Sequence, residues 1–139
     1  MEKRDIIKDQ IEQLGRVLGE MIANFLRLKS KGKVTQGIEI SNKQLKNELD
    51  IDIDKLVDTP KNELKKFLID RKLTGEHIEM IADYLNNIVE SNTLADKQEV
   101  DKYLAKILDL YDMTDEFSQT ISFDRIAKKN QIRNMPQQN

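Results

Sequence analysis

The sequence predicts an all-α fold of five to six antiparallel helices, either stacked helical hairpins or an irregular bundle. Three observations carry this. Helix breakers are scarce, with five glycines and two prolines in 139 residues, in a chain rich in the straight-chain residues that favour helix. Apolar residues recur at helical spacing through most of the chain. No segment alternates with period two over a β-branched or aromatic run; Asp50-Ile51-Asp52-Ile53-Asp54 alternates, but aspartate is depleted in strands and no second strand is there to pair with it.

The first helix is the clearest. Ile7, Ile11, Leu14, Leu18, Met21, Phe25 and Leu28 are spaced alternately four and three apart, which is one stripe on a helix surface. A coiled-coil seam carries charged flanks, whereas the flanks here include Gln10, Gly15, Val17, Ile22 and Asn24. The apolar face is therefore wide, as for a helix packed on two or more neighbours. Gly15, Gly19 and Ala23 form a second ridge of small residues at four-residue spacing. Each glycine costs about 1 kcal/mol of helix propensity, so the ridge is a candidate helix–helix interface. A neighbouring helix of the same chain is the simpler occupant of that ridge, and a second copy or a partner helix is the alternative. The helix should end near Gly32, with Arg27, Lys29, Lys31 and Lys33 complementing the negative end of its dipole.

A second helix is expected over about 35–49, with Ile38, Leu45 and Leu49 inward, although Ser41 and Gln44 could start it later as a capping box. Residues 50–58 read as a connector. Thr59-Pro60 starts a third helix whose apolar face is Leu64, Phe67 and Leu68. Thr74 caps a fourth, with Leu73 and Ile78 spaced as a hydrophobic staple. Ile78, Ile81, Ala82, Leu85, Ile88 and Val89 then continue it up to Asn92-Thr93. A fifth, about 95–113, buries Val100, Tyr103, Leu104, Ile107, Leu108 and Tyr111. A short sixth starts at Ser122, again with a staple of Ile121 on Ile126. One helical domain over 1–134 and a loose tail over 135–139 are expected.

The chemistry-bearing residues are few. Without cysteine, disulfides, Cys-ligated zinc and thiol catalysis are excluded, and a reducing cytoplasm is the simplest home. The N-terminus lacks an apolar core of the signal-peptide kind, and no apolar stretch is long enough to span a membrane. His77 stands alone near a helix start, where a surface position is expected; as a general base it would have Glu76 or Glu79 beside it. Asp50, Asp52 and Asp54 match the first half of a calcium loop, but Lys55 and Lys61 stand where that loop requires glycine and glutamate. No phosphate-cradling glycine loop, dinucleotide fingerprint or nucleophile elbow occurs. No catalytic residues, metal or cofactor are expected, and the chain reads as a non-enzyme.

Charge is abundant but balanced: 23 basic and 25 acidic residues, net −2. A dedicated nucleic-acid binder carries a basic excess. Two local patches still qualify as phosphate contacts: Arg27, Lys29, Lys31 and Lys33, and Arg125, Lys128, Lys129 and Arg133. Neither is interleaved with exposed aromatics, since Phe25 and Phe123 are better used in a core. The leading expectation is a helical module that binds another protein or itself, including as a homodimer. The alternative is a nucleic-acid-associated accessory protein using the two patches.

Asp5-Ile6-Ile7, Gln10-Ile11, Leu14 through Leu18, Leu28-Lys29-Ser30-Lys31-Gly32 with the turn into Val34–Ile40, and Phe117 with Ser122-Phe123-Asp124-Arg125-Ile126 together resemble a family of uncharacterised bacterial proteins with a tetratricopeptide-like helical fold. The resemblance covers the N-terminal third and thereafter only the helix pattern. It implies a scaffold for protein contacts. The chain departs from true tetratricopeptide repeats in lacking 34-residue self-similarity and their consensus.

Overall fold

The computed structural model describes residues 3–134, with side chains from residue 9 onward. The Ile7 end of the first stripe and the tail at 135–139 lie outside the described side chains and residues. Among the described residues there are seven helices and no strand: α1 (Lys3–Ser30), α2 (Val34–Leu49), α3 (Ile53–Asp58), α4 (Lys61–Asp70), α5 (Gly75–Glu90), α6 (Lys97–Ser118) and α7 (Phe123–Arg133). None of them is long and apolar enough to cross a membrane. Backbone contacts divide the chain into two compact units, residues 1–73 and 74–139.

In the first unit α1 packs on α2. Leu18, Met21 and Phe25 of the α1 stripe are fully buried, as is Leu45 of α2. Gly32 takes the left-handed conformation, φ 74°, and the Lys33 N–H reaches the Leu28 carbonyl at 2.9 Å, a left-handed cap that satisfies carbonyls α1 would otherwise leave bare. Close approach of the two helices depends on Gly37: a Cβ there would stand 3.3 Å from Leu28 Cβ and 3.4 Å from Phe25 Cδ1.

The segment expected as a connector contains α3. The Asp52 carboxylate caps it by accepting the Lys55 N–H at 3.3 Å, and Ile51, Ile53, Leu56 and Val57 are buried. A two-turn helix is too short for its periodicity to show, so its cap and its burial define it. Pro60 sits one residue before α4 rather than inside it.

The second unit is a three-helix arrangement. Gly75 at the start of α5 lies against Thr114 and Ser118 near the end of α6, and Asp83 further along bonds Tyr111. The two helices therefore run antiparallel, as their short connector requires. Their shared core includes Ile78, Ile81, Leu85, Ile107 and Leu110. α6 runs five residues beyond the expected 113, with Met113 and Thr114 buried, because no breaker intervenes before Gln119 closes it in the left-handed region. At the other end the Asp96 carboxylate caps it by accepting the Glu99 N–H at 2.9 Å.

His77 is the clearest correction among polar residues. It is 5% exposed rather than on the surface. Its Nδ1 accepts the Thr74 backbone N–H at 3.2 Å while the His77 backbone N–H donates to Thr74 Oγ1 at 3.3 Å. The imidazole thus completes the capping box that a glutamate or glutamine usually completes.

Candidate interaction surface

α7 is inside out. At helical spacing Arg125, Lys128, Lys129 and Ile132 share one face, and Phe123, Ile126, Ala127 and Asn130 share the opposite one. An amphipathic helix ordinarily buries its apolar stripe. Here Arg125 and Ile132 are buried and Lys128 and Lys129 half-buried, while Phe123 is 91% exposed, Ile126 is 38% exposed, and Ile121 in the preceding turn is 77% exposed. The expected staple of Ile121 on Ile126 leaves both side chains in solvent, and Phe123 is not a core residue.

The cause is the surface α7 lies on. Arg125 donates from Nε to Asp115 at 2.7 Å and from Nη1 to Glu79 at 3.5 Å. Lys129 reaches Asp115 at 2.6 Å and Asp112 at 3.0 Å. Lys128 reaches Asp83 at 3.1 Å, Glu79 at 3.4 Å and, on its own helix, Asp124 at 3.3 Å, and its ammonium stands 5.7 Å from the Tyr111 ring centroid. Apolar side chains turned inward would leave this acidic wall desolvated and unpaired, which costs more than exposing them.

Titration follows the same logic. Burial alone would raise the Asp115 carboxyl, but hydrogen bonds from Lys129 and Arg125 more than reverse this and hold it below its ordinary value. Burial would lower the Lys128 and Lys129 ammonium groups, and the facing carboxylates leave both raised. The Tyr111 phenol, buried and donating to Asp83 at 2.5 Å, is pushed far above its ordinary value.

The cluster also holds the turn into α7. Arg125 Nη2 donates to the Thr120 carbonyl at 2.9 Å, Ser118 Oγ donates to the Thr114 carbonyl at 2.6 Å, and Ser122 Oγ accepts the Arg125 N–H at 3.4 Å as N-cap. Ile121 and Phe123 therefore project from a clamped turn.

Of the eight cations read from the sequence as phosphate contacts, Arg125, Lys128 and Lys129 are committed to carboxylates. Arg133 is exposed, as are Arg27, Lys31 and Lys33 around the α1–α2 turn, and Lys29 is half-buried. In the small-residue ridge Gly15 and Gly19 are half-buried and Ala23 is exposed; close helix approaches are defined at Gly37 and Gly75. The aspartate series is dispersed in role: Asp50 pairs with Arg71 at 2.8 Å, Asp52 caps α3, and Asp54 is exposed in its first turn. Among the described residues no group of three or more His, Asp or Glu is placed to hold a metal ion.

No family model, curated protein or solved structure matches the chain.

Proposed function

We propose that the chain is a non-catalytic helical protein-interaction module whose working surface is the outward face of α7, centred on Phe123. The observation that carries this is a phenylalanine 91% exposed on a turn that Arg125 clamps to Asp115 and Thr120. An apolar side chain contributes nothing to folding when left in water, and apolar patches on helical domains are characteristic of partner sites. Aromatic anchors dominate binding energy at interfaces, and a rigid anchor loses less conformational entropy on docking. Phe123, Ile126 and Ala127 stand at i, i+3 and i+4, the pattern of a helix face seated in a groove.

The likeness to a tetratricopeptide-like family belongs to this proposal. Its support is that α1–α2 and α5–α6 are each helical pairs with short connectors. A cytoplasmic setting, supported by the cysteine-free sequence, belongs to it as well.

The test is site-specific photo-crosslinking in the native cell, with benzoylphenylalanine replacing Phe123 in one protein and exposed Lys97 in another. A discrete protein adduct at position 123 and not at 97 is expected. No adduct at 123, or the same adducts at both positions, overturns the reading.

A further inference from the structure

We propose that two copies of this chain exchange α7, each laying Arg125, Lys128 and Lys129 on the other's α5 and α6 and packing its Ile121 and Phe123 against the other's. This rests on the reading of the Phe123 face as a protein-binding surface and names a second copy as what covers it.

The receiving surface needs no free charge. Arg125 pairs with Asp115, Lys129 with Asp112 and Asp115, and Lys128 with Glu79 and Asp83. An exchanged α7 re-forms every one of these pairs on the second copy. What holds α7 in place is ionic rather than apolar, since Ile132 is its one buried apolar side chain. Undocking therefore uncovers little apolar surface, the term that fixes most helices into a core, and places α7 among the elements that open locally.

The connector supplies the pivot. Gln119 stands at φ 56°, where a residue with a Cβ is strained. On its α6 side Ser118 Oγ donates to the Thr114 carbonyl at 2.6 Å. On its α7 side Arg125 Nη2 donates to the Thr120 carbonyl at 2.9 Å. Neither contact crosses Gln119, so each flanking segment keeps its shape when the pivot turns. The hydrogen bond between the Ser118 and Thr120 hydroxyls, 3.0 Å long, does cross it and is given up. Return of Gln119 to the right-handed region carries α7 away from its own α6, and a short connector under strain favours such exchange.

The connector also decides what covers Phe123. In a reciprocal exchange each connector passes from one copy to the other, so the two run side by side at the two-fold axis. The side chains newly buried there belong to the connector and the first turn of α7. Among the described residues Ile121, 77% exposed, and Phe123, 91% exposed, are the two most exposed large apolar side chains, and both stand at that place. The contact is isologous and closes at two copies.

The chain has no cysteine, which gives a direct test. Glu79→Cys and Lys128→Cys replace side chains that meet at 3.4 Å across α5 and α7, each in a separate full-length chain. The two are unfolded together in urea, refolded at high concentration and treated with a short bismaleimide. A covalent pair of chains is expected, and none when Lys97→Cys takes the place of Lys128→Cys. Sedimentation velocity of the wild type should show monomer and dimer and nothing larger. Gln119→Val, which strains the closed turn further, should raise the dimer fraction, and Gln119→Gly should lower it. Phe123→Ser should weaken the dimer roughly tenfold or more, as loss of an aromatic anchor does. Circular dichroism melting shows that each variant is folded. Absence of the 79–128 adduct, or a dimer fraction that does not fall from Gln119→Val through wild type to Gln119→Gly, overturns the exchange. A dimer that needs Phe123 but lacks the adduct overturns the exchange alone and leaves the binding surface standing. A monomer with no photo-adduct at position 123 overturns both.

Discussion

Arg125 Nε lies 2.7 Å from the Asp115 carboxylate, and that one contact couples α7 to α6 while the same guanidinium holds the Thr120 carbonyl of the turn between them. Both side chains are shielded from solvent, so the pair acts in a medium where an unpartnered charge is expensive. Arg125→Met should destabilise the protein by about 3 kcal/mol, because Asp115 and the Thr120 carbonyl lose a donor together. Urea unfolding followed by circular dichroism measures it. A loss no larger than that of a surface variant such as Lys97→Met would show the clamp to be dispensable.

The same cluster sets both ends of the stability–pH curve. Asp115 has a folded pKa below its unfolded value, so its contribution is complete above about pH 4 and is lost as pH falls through the depressed value. Lys128, Lys129 and Tyr111 have folded pKa values above their unfolded ones. Their contribution is complete below about pH 10 and is lost as pH rises through the raised values. The melting temperature should therefore form a plateau that falls on the acid side below about pH 4 and on the alkaline side above about pH 10. Arg125→Met should leave the alkaline limb in place and, with one of the carboxylate's two donors gone, move the acid limb to higher pH.

Gly75→Ala should destabilise by about 1–3 kcal/mol. The new methyl would meet Ser118 Cβ at 3.0 Å, the Thr114 carbonyl at 3.1 Å and the Ser118 backbone nitrogen at 3.2 Å. Two of these three neighbours are backbone and cannot rotate aside. Thermal melting distinguishes this from the small gain that alanine brings to an unhindered helix.

Lys72 and Gln119 close α4 and α6 at φ 60° and 56°, where a side chain is strained. Lys72→Gly is expected to stabilise by about 0.5–1 kcal/mol, and Gln119→Gly by a similar amount, after the greater chain entropy of glycine is offset. A melting temperature unchanged or lowered in both variants would mean that the side chains contribute contacts worth more than the strain.

The long elements were legible in the residues. The α1 stripe, the Thr74 cap and the run from Ile78 to Val89 each combine a start signal with many periods of one pattern, and errors in single positions average out. The misses are where one residue decides. Asp50, Lys72 and Gln119 end helices in the left-handed region without being glycine, so nothing local marked them. α3 has six residues, too few for its period to register.

Composition, spacing and caps determined an all-helical chain, the positions of most of its helices and the absence of thiol chemistry, because these depend on neighbours one to four residues away. Which face of α7 turns inward depended on partners 10 to 49 residues distant in sequence. An apolar stripe predicts burial only when the receiving surface is apolar. Here α5 and α6 present Glu79, Asp83, Asp112 and Asp115, and only the tertiary structure shows that four carboxylates converge where α7 lands, drawing its cations in and leaving Phe123 outside.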